Sequence, residues 1–354
     1  MILLSLDWLL MLEKLVLIVV IVMVSLVIAM YETYAERKIA AFIQDRRGPN
    51  RAGPFGLFQP LADGLKLFMK EEIIPNSSSK FLFILGPCLA MLTAMMTSAV
   101  IPWGGTIHLF GRDISLQIAD PNVGILFIFA VVSMGVYGIM IGGWASNNKF
   151  SLMAALRGAS QMISYELAMG LSLLAVLMLS GELRLSVIVG QQMDSVWNVV
   201  YQPLGFLIFL VCAFAECNRT PFDLPEAENE LNFGYHQEYS SMKLGFYLFA
   251  EYINMFISSA VMTTLYFGGY DVPFLNDASF GQNHGGWLTV LQAVALLAKI
   301  GFFIFLFMWV RWTIPRFRYD QLMRVGWKNL VPLALLNMII TAAVILYLKN
   351  GSPF

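Results

Sequence analysis

The sequence predicts an all-α polytopic membrane protein with eight transmembrane helices and an additional helix lying at the membrane interface. Three observations lead there. Of 354 residues, 58% are hydrophobic and only 13% charged, against roughly a quarter charged in soluble domains. Apolar runs recur along the chain, and most approach or exceed the about 20 residues that a helix needs to cross hydrocarbon. Basic residues gather in alternate connections, as they do when those connections face the cytoplasm. The whole chain, 1–354, reads as one integral membrane domain, without repeats or a low-complexity tail. Its net charge of −1 gives no reason to expect a nucleic-acid partner.

The first run, Trp8–Tyr31, is longer than the apolar core of a signal peptide. It also lacks a basic leader and an A-x-A site, so it is expected to remain as a helix. Seven more runs follow: Phe81–Ile101, Asn122–Gly142, Met162–Leu179, Val199–Ala215, Leu244–Phe267, Leu288–Val310 and Leu330–Leu348. The connections after the first, third, fifth and seventh runs carry 17 Lys and Arg, whereas the others hold only Arg112 and Arg184. The basic side is the inner side, so both termini are expected outside.

The connections have their own patterns. In the first inner one, Gly48-Pro49-Asn50 and Gly53-Pro54 force turns. Leu57, Leu61, Leu65 and Phe68 then share one helical face, with Asp63, Lys66 and Lys70 off it, the pattern of a helix lying flat at the interface. Outside, Thr106–Phe110 and Ile114–Ile118 alternate around Gly111-Arg112-Asp113 and predict a small hairpin. Leu183–Val189 reads as interfacial or re-entrant, and polar, Gly-rich Asp271–Gly286 as an external connection.

Charge is most concentrated between Glu216 and Glu251. Glu216, Asp223, Glu226, Glu228, Glu230, Glu238 and Glu251 are opposed there only by Arg219 and Lys243. Carboxylates crowded against a low-dielectric phase repel one another, and their proton occupancy responds to any nearby charge. Glu32 and Glu36 close the first run on one helical face and can either snorkel to head groups or begin a proton path. Glu166 lies inside the fourth run, where a carboxylate needs a partner or a proton. Lys299 sits twelve residues from both Trp287 and Arg311, roughly 18 Å from either end. That is too far to snorkel, so it must face the bundle interior. Arg316, Arg318 and Asp320, interleaved with aromatics, can bind a partner's acids or anchor a helix end.

Cys88, Cys212 and Cys217 form no CxxC pair, and His108, His236 and His284 all fall in expected loops. Neither pattern offers an iron–sulfur, zinc or haem site, so no metal and no redox centre is expected in this chain.

Three stretches together carry a resemblance. Glu36-Arg37-Lys38 leads to Gln44-x-Arg46-x-Gly48-Pro49-Asn50-x-x-Gly53-Pro54 and Gln59-Pro60-x-Ala62-Asp63-Gly64-x-Lys66. Ala215-Glu216-x-x-Arg219-x-Pro221-Phe222-Asp223-Leu224-Pro225-Glu226-Ala227-Glu228-x-Glu230-Leu231 ends in Glu238-Tyr239. Lys299 precedes Trp309-Val310-Arg311-Trp312 and Pro315-Arg316-Phe317-Arg318-Tyr319-Asp320-Gln321-Leu322, and Ser164-Tyr165-Glu166 adds a fourth match. Over nearly the whole chain these resemble the quinone-site membrane subunits of respiratory complex I, the bacterial NADH:quinone oxidoreductase, equivalent to the first mitochondrially encoded subunit. One departure is Asn232-Phe233, where the family usually has Val and a small residue.

The resemblance implies a non-redox subunit of an ion-translocating enzyme that walls the chamber of its quinone substrate, ubiquinone or menaquinone. Flavin and iron–sulfur clusters belong to partner subunits, and nothing is bound covalently here. Partners are the peripheral-arm iron–sulfur and quinone-site subunits and the neighbouring membrane-arm subunits, in a bacterial inner membrane. Arg37, Arg46 and Asp63 would shape the quinone entrance. Glu226, Glu228, Glu230 and Glu238, with Asp223 in the same loop, would answer quinone reduction by changing protonation. Glu216, Glu251, Glu166 and Glu36 would pass that change towards Lys299, and Arg316, Arg318 and Asp320 would dock the peripheral arm. The family shades into membrane-bound hydrogenase subunits. A stand-alone ion transporter and a passive anchor remain as other classes, although no inverted repeat supports the transporter.

Overall fold

The computed structural model describes residues 8–109, 112–226, 228–273 and 277–351. Seven helices are long and apolar enough to cross a membrane: Leu10–Ile43, Lys80–Val100, Gly124–Ala145, Lys149–Ser180, Ser241–Tyr266, Trp287–Thr313 and Tyr319–Leu348. An eighth apolar helix, Pro203–Glu216, is shorter. Among the described residues the structure is all-α apart from one hairpin.

Helix α1 (Trp8–Ile43) contains neither Gly nor Pro and runs unbroken for 36 residues. It therefore passes well beyond the apolar run that ends at Tyr31. Glu32 and Glu36 do not terminate it, because both are buried against the protein rather than released to head groups. After the Gly-Pro turns comes α2 (Gln59–Met69), the expected flat helix. Its Leu61, Leu65 and Phe68 are uncovered, as an interfacial apolar face should be.

Helices α3 (Lys80–Thr97) and α4 (Gly124–Ala145) pack closely as an antiparallel pair. Gly138 permits the approach: a side chain there would fall 2.9 Å from the backbone nitrogen of Ala90 on α3. Between them, β1 (Thr106–Leu109) pairs with β2 (Arg112–Ser115), Thr106 opposite Ser115. The hairpin is the expected one with an earlier second strand; its tip, Phe110-Gly111, lies outside the described residues.

Helix α5 (Lys149–Ser180) is capped by Asn148 and is far longer than its apolar run. There follow α6 (Leu185–Asp194), which takes the place of the interfacial piece, then α7 (Asn198–Tyr201) and α8 (Pro203–Glu216). The expected fifth run is thus broken at Gln202, before Pro203. The side chain at the break is held from α13, accepting from Asn337 at 2.9 Å and donating to Thr341 at 2.7 Å.

The acidic segment contains the short α9 (Glu228–Leu231) and a 3-10 turn, Gly234–His236, before α10 (Ser241–Tyr266). Helix α11 (Asp277–Thr313) begins within the expected outer connection Asp271–Gly286, where the polar composition suggests a loop. Its stretch Trp287–Thr313 is long and apolar enough to cross a membrane. His284 therefore lies in a helix and His108 on a strand, not in loops as expected, although their side chains lie outside the described residues. Finally, α12 (Tyr319–Arg324), a π turn (Val325–Leu330) and α13 (Val331–Gly351) form one continuous helix. Pro332 cannot donate to the preceding turn, and the wider π turn accommodates its ring.

Helix α10 is the centre, with 61% of its most apolar window buried, whereas α1 and α13 bury 22% each and form the rim.

Candidate functional site

The segment between α8 and α10 is held over one end of the helix bundle by buried polar anchors. Gln161 of α5 is fully buried and donates through Nε2 to the carbonyls of Ala215 at 2.9 Å and Phe222 at 2.7 Å. Phe222 packs edge-on to Tyr165, 5.3 Å between centroids. The amide of Phe317 donates to the Pro221 carbonyl at 3.1 Å, tying the loop after α11 to the acidic segment. Asn232 and Phe233, the pair that departs from the resemblance, adopt φ of 50° and 76°. That unusual backbone turns the chain so that Gly234 passes against the Pro225 carbonyl, where a side chain would not fit.

This folding brings together groups far apart in sequence. Arg219 is 4% exposed, and its guanidinium stacks 4.2 Å over the Tyr252 ring. It lies 3.8 Å from Glu36 of α1 and 3.9 Å from Glu251 of α10. Glu36 is also paired with Arg311 of α11 at 2.6 Å and accepts from the Tyr252 hydroxyl at 2.8 Å. Glu32, one turn earlier, is buried, and neither of its oxygens has a hydrogen-bond partner among the described residues. The Tyr235 hydroxyl donates to Glu251 at 3.1 Å. A cavity of about 20 Å³ is lined by Glu216, Glu251, Tyr235 and Tyr247, room for roughly one water molecule. Glu166 bonds Ser133 of α4 and is near enough to Glu216 for their charges to repel.

Three elements around Arg219 thus share one buried ionic cluster. In such a setting charges interact strongly, because water and salt are excluded. A proton arriving on one acid changes the field at all the others.

The remaining expected site residues surround this core. Arg37 and Asp63 meet at 2.7 Å and join α1 to α2; Arg46 is exposed and bonds Gln44. Asp223 is buried and paired with Arg316 at 2.6 Å. Burial and the charge of Glu226 push the Asp223 carboxyl up to about 7, with Arg316, Arg311 and Arg219 pulling the other way. Glu230 pairs with Arg157 at 2.7 Å, and Glu238 accepts from Asn148 at 2.8 Å. Glu228 belongs to α9 by its backbone, and its side chain lies outside the described residues. Arg318 and Asp320 form an exposed pair at 3.5 Å.

Lys299 stands apart. Its ammonium donates to the carbonyls of Phe267, Gly269 and Asp271 at 2.7, 3.0 and 2.7 Å and lies 4.5 Å over Trp197. It closes the turn that follows the C-terminal end of α10. Glu251, fifteen residues before the last residue of α10, is about 22 Å away along the helix.

Arg311, His236, Tyr235 and Tyr252 are not singled out as site residues by the sequence. His236 and Arg219 are two of the few basic residues within the acidic stretch, and that is the available signal. His236 is fully enclosed, and burial pushes its imidazole down to about 4 against the pull of Glu226. Burial also pushes the Cys217 thiol up to about 12, which suppresses its thiolate chemistry.

Helices of spanning length around a buried Arg–carboxylate cluster define a polytopic membrane protein with ionisable groups concentrated at one end of the bundle. Comparison with known proteins gives the family. Residues 15–342 match the NADH dehydrogenase family model. An H-type subunit of the NADH-quinone oxidoreductase of Cytophaga hutchinsonii is 65% identical over 95% of this chain and 97% of its own. The corresponding subunit of Flavobacterium johnsoniae is 63% identical over 94% and 95%, and that of Leptospira biflexa 48% identical over 98% of both. The chain belongs to the NADH dehydrogenase family that includes these subunits.

Proposed function

We propose that this chain is the membrane subunit of a bacterial, proton-translocating NADH:quinone oxidoreductase, and that it couples quinone reduction to proton translocation through its acidic inner segment. The observation carrying this reading is the buried convergence of Glu36, Glu251 and the unpartnered Glu32 on Arg219. Ionisable groups at such depth are costly and usually functional.

In this reading the chain is a single integral domain of the inner membrane, with eight crossings and both termini outside. It supplies no redox centre. Electrons arrive from flavin and iron–sulfur clusters of partner subunits, and quinone is the substrate. The Arg37–Asp63 pair braces α2 against α1 and, with Arg46, forms the quinone entrance; the uncovered apolar face of α2 suits an isoprenoid tail entering from lipid. Charge appearing at the quinone acts first on Asp223, Glu226, Glu228, Glu230 and Glu238. Arg219 transmits it to Glu36 and Glu251, and the small cavity links Glu251 to Glu216, beside Glu166. Arg316, Arg318 and Asp320 face the peripheral arm, with Arg316 also tied to Asp223. Lys299 is the remote member of the set, holding the outer end of α10.

The test is Glu216→Gln and Glu251→Gln in the assembled complex. NADH-driven quinone reduction and proton pumping are expected to fall together by tenfold or more. NADH oxidation by ferricyanide, which bypasses the quinone site, reports intact partners. Wild-type pumping and quinone reduction in both variants would remove the acids from the coupling route.

A further inference from the structure

The imidazole of His236 is buried, and neither of its ring nitrogens makes a hydrogen bond among the described residues. A buried imidazole without any partner is uncommon and calls for a ligand. Nδ1 lies 3.8 Å from Oε1 of Glu226, and Nε2 lies 4.0 Å from Oε1 of Glu251. Both separations exceed a hydrogen bond. One ligand atom from each of the three residues can be chosen so that all lie within 4.8 Å of one another.

We propose that Glu226, His236 and Glu251 form a binding site for a divalent cation of the zinc class, which would clamp the acidic loop and the 3-10 turn onto α10 and, while bound, hold both carboxylates deprotonated and so take them out of the coupling route. The donor set selects the class. One imidazole nitrogen and two carboxylate oxygens suit four-coordinate zinc with water in the last position, at metal–ligand distances of about 2.0–2.2 Å. Calcium and magnesium favour six or more oxygens, which this site lacks. A tetrahedron at those distances brings ligand atoms to about 3.3 Å from one another, so the side chains close by about 1.5 Å. Glu226, at the rim of the loop with its side chain 16% exposed, provides both the adjustment and the way in.

The local charge also suits a cation. Glu226 approaches the imidazole at Nδ1 and Glu251 at Nε2, so an ion held by one nitrogen draws the other carboxylate around the ring edge; the 3.9 Å approach of Arg219 to Glu251 is to Oε2, and it is Oε1 that lies near His236. The Tyr235 hydroxyl that now donates to that Oε1 becomes an outer partner orienting the carboxylate. Among the described residues this is the one group of three or more acids, histidines or cysteines close enough to hold an ion.

The experiment uses the intact complex containing this chain, stripped with a chelator, dialysed against micromolar zinc and counted by elemental analysis. Zinc-edge X-ray absorption then reads the ligands. The expected result is one more tightly held zinc per complex in the wild type than in His236→Asn, with imidazole scattering in the difference spectrum and at least tenfold weaker retention in Glu226→Gln. Equal zinc in wild type and His236→Asn overturns the site. So does no zinc above the stripped baseline in the wild type, a result that needs no variant to fold. Neither readout involves turnover, so a failed coupling proposal and a failed metal site are distinguishable.

Discussion

At the residue scale, Arg219 is the group on which the site most depends. It neutralises part of a buried acidic cluster drawn from α1 and α10, and its plane lies on Tyr252. Removing one partner of a buried pair leaves the other charge stranded, at about 3–5 kcal/mol. Arg219→Gln is therefore expected to lower the thermal stability and yield of the complex, and Arg219→Lys, which keeps the charge but loses the planar stack, to fall between. Equal unfolding temperatures for all three would mean that Arg219 is not structurally required. Asp223 gives a pH prediction. Its carboxyl holds a proton up to about 7 in the fold, against 3.8 in an open chain. The native loop therefore binds more protons than the opened loop across that interval, and its stability falls as pH rises from about 4 to 7. Hydrogen exchange in the 217–240 backbone, corrected for intrinsic rates, should show the opening constant rising by up to about tenfold between pH 5 and 6. In Asp223→Asn the dependence should flatten; an unchanged slope would assign it to another group.

At the element scale, α10 is held at both ends by other parts of the chain. At its inner end Ser241 donates to the Leu67 carbonyl, and Lys243 pairs with Glu72. At its outer end the ammonium of Lys299 satisfies three carbonyls. Lys299→Met unbonds them, and each buried carbonyl left unpaired costs about 1–3 kcal/mol. The expected outcome is a lower unfolding temperature with an unchanged ratio of protons pumped to NADH oxidised in the complex that survives. A reduced ratio at unchanged stability would instead make Lys299 part of the proton route. The same helix marks how far the sequence can be read. Apolar runs locate every long helix, because lipid exposure and burial both demand apolar residues. The acids of 216–251 are legible because charge is rare in such a chain. Partners are not legible. The carbonyls that receive Lys299 belong to the turn after another helix, and no pattern of side chains announces them. Glu32 and Glu36 look like the close of a helix, since the sequence does not reveal that Arg219 and Arg311 will come to meet that face.

At the scale of the whole molecule, the number of crossings is an argument about sides. Helix α8 spans only about 21 Å and, joined to α7, about 28 Å, against hydrocarbon of about 30 Å. Length alone leaves that crossing marginal, but the contacts between connections support it. The segment after α1 bonds the start of α10 through Ile73 and Ser240, and Ser77 and Glu238 bond Asn147 and Asn148 after α4. These connections therefore share one face. On the opposite face, Lys14 reaches Gln117, and Ser186 and Arg184 reach Asp120 and Asn122. Helix α5 leads towards the second face and the acidic segment groups with the first, an arrangement that the proposed eighth crossing through α7 and α8 accounts for. The side chain of Gln202, bonded to those of Asn337 and Thr341, ties the break between α7 and α8 to α13. Single cysteines introduced into a chain with Cys88, Cys212 and Cys217 replaced test this directly. With a membrane-impermeant maleimide on spheroplasts, Ser195→Cys is expected to label from outside, and Ser77→Cys and Glu238→Cys only after the membrane is opened. Outside labelling at position 238 but not 77 would put the acidic segment and the first inner connection on different sides. The contacts joining them could not then exist in the membrane, and both the eight-crossing arrangement and the shared buried cluster would be lost.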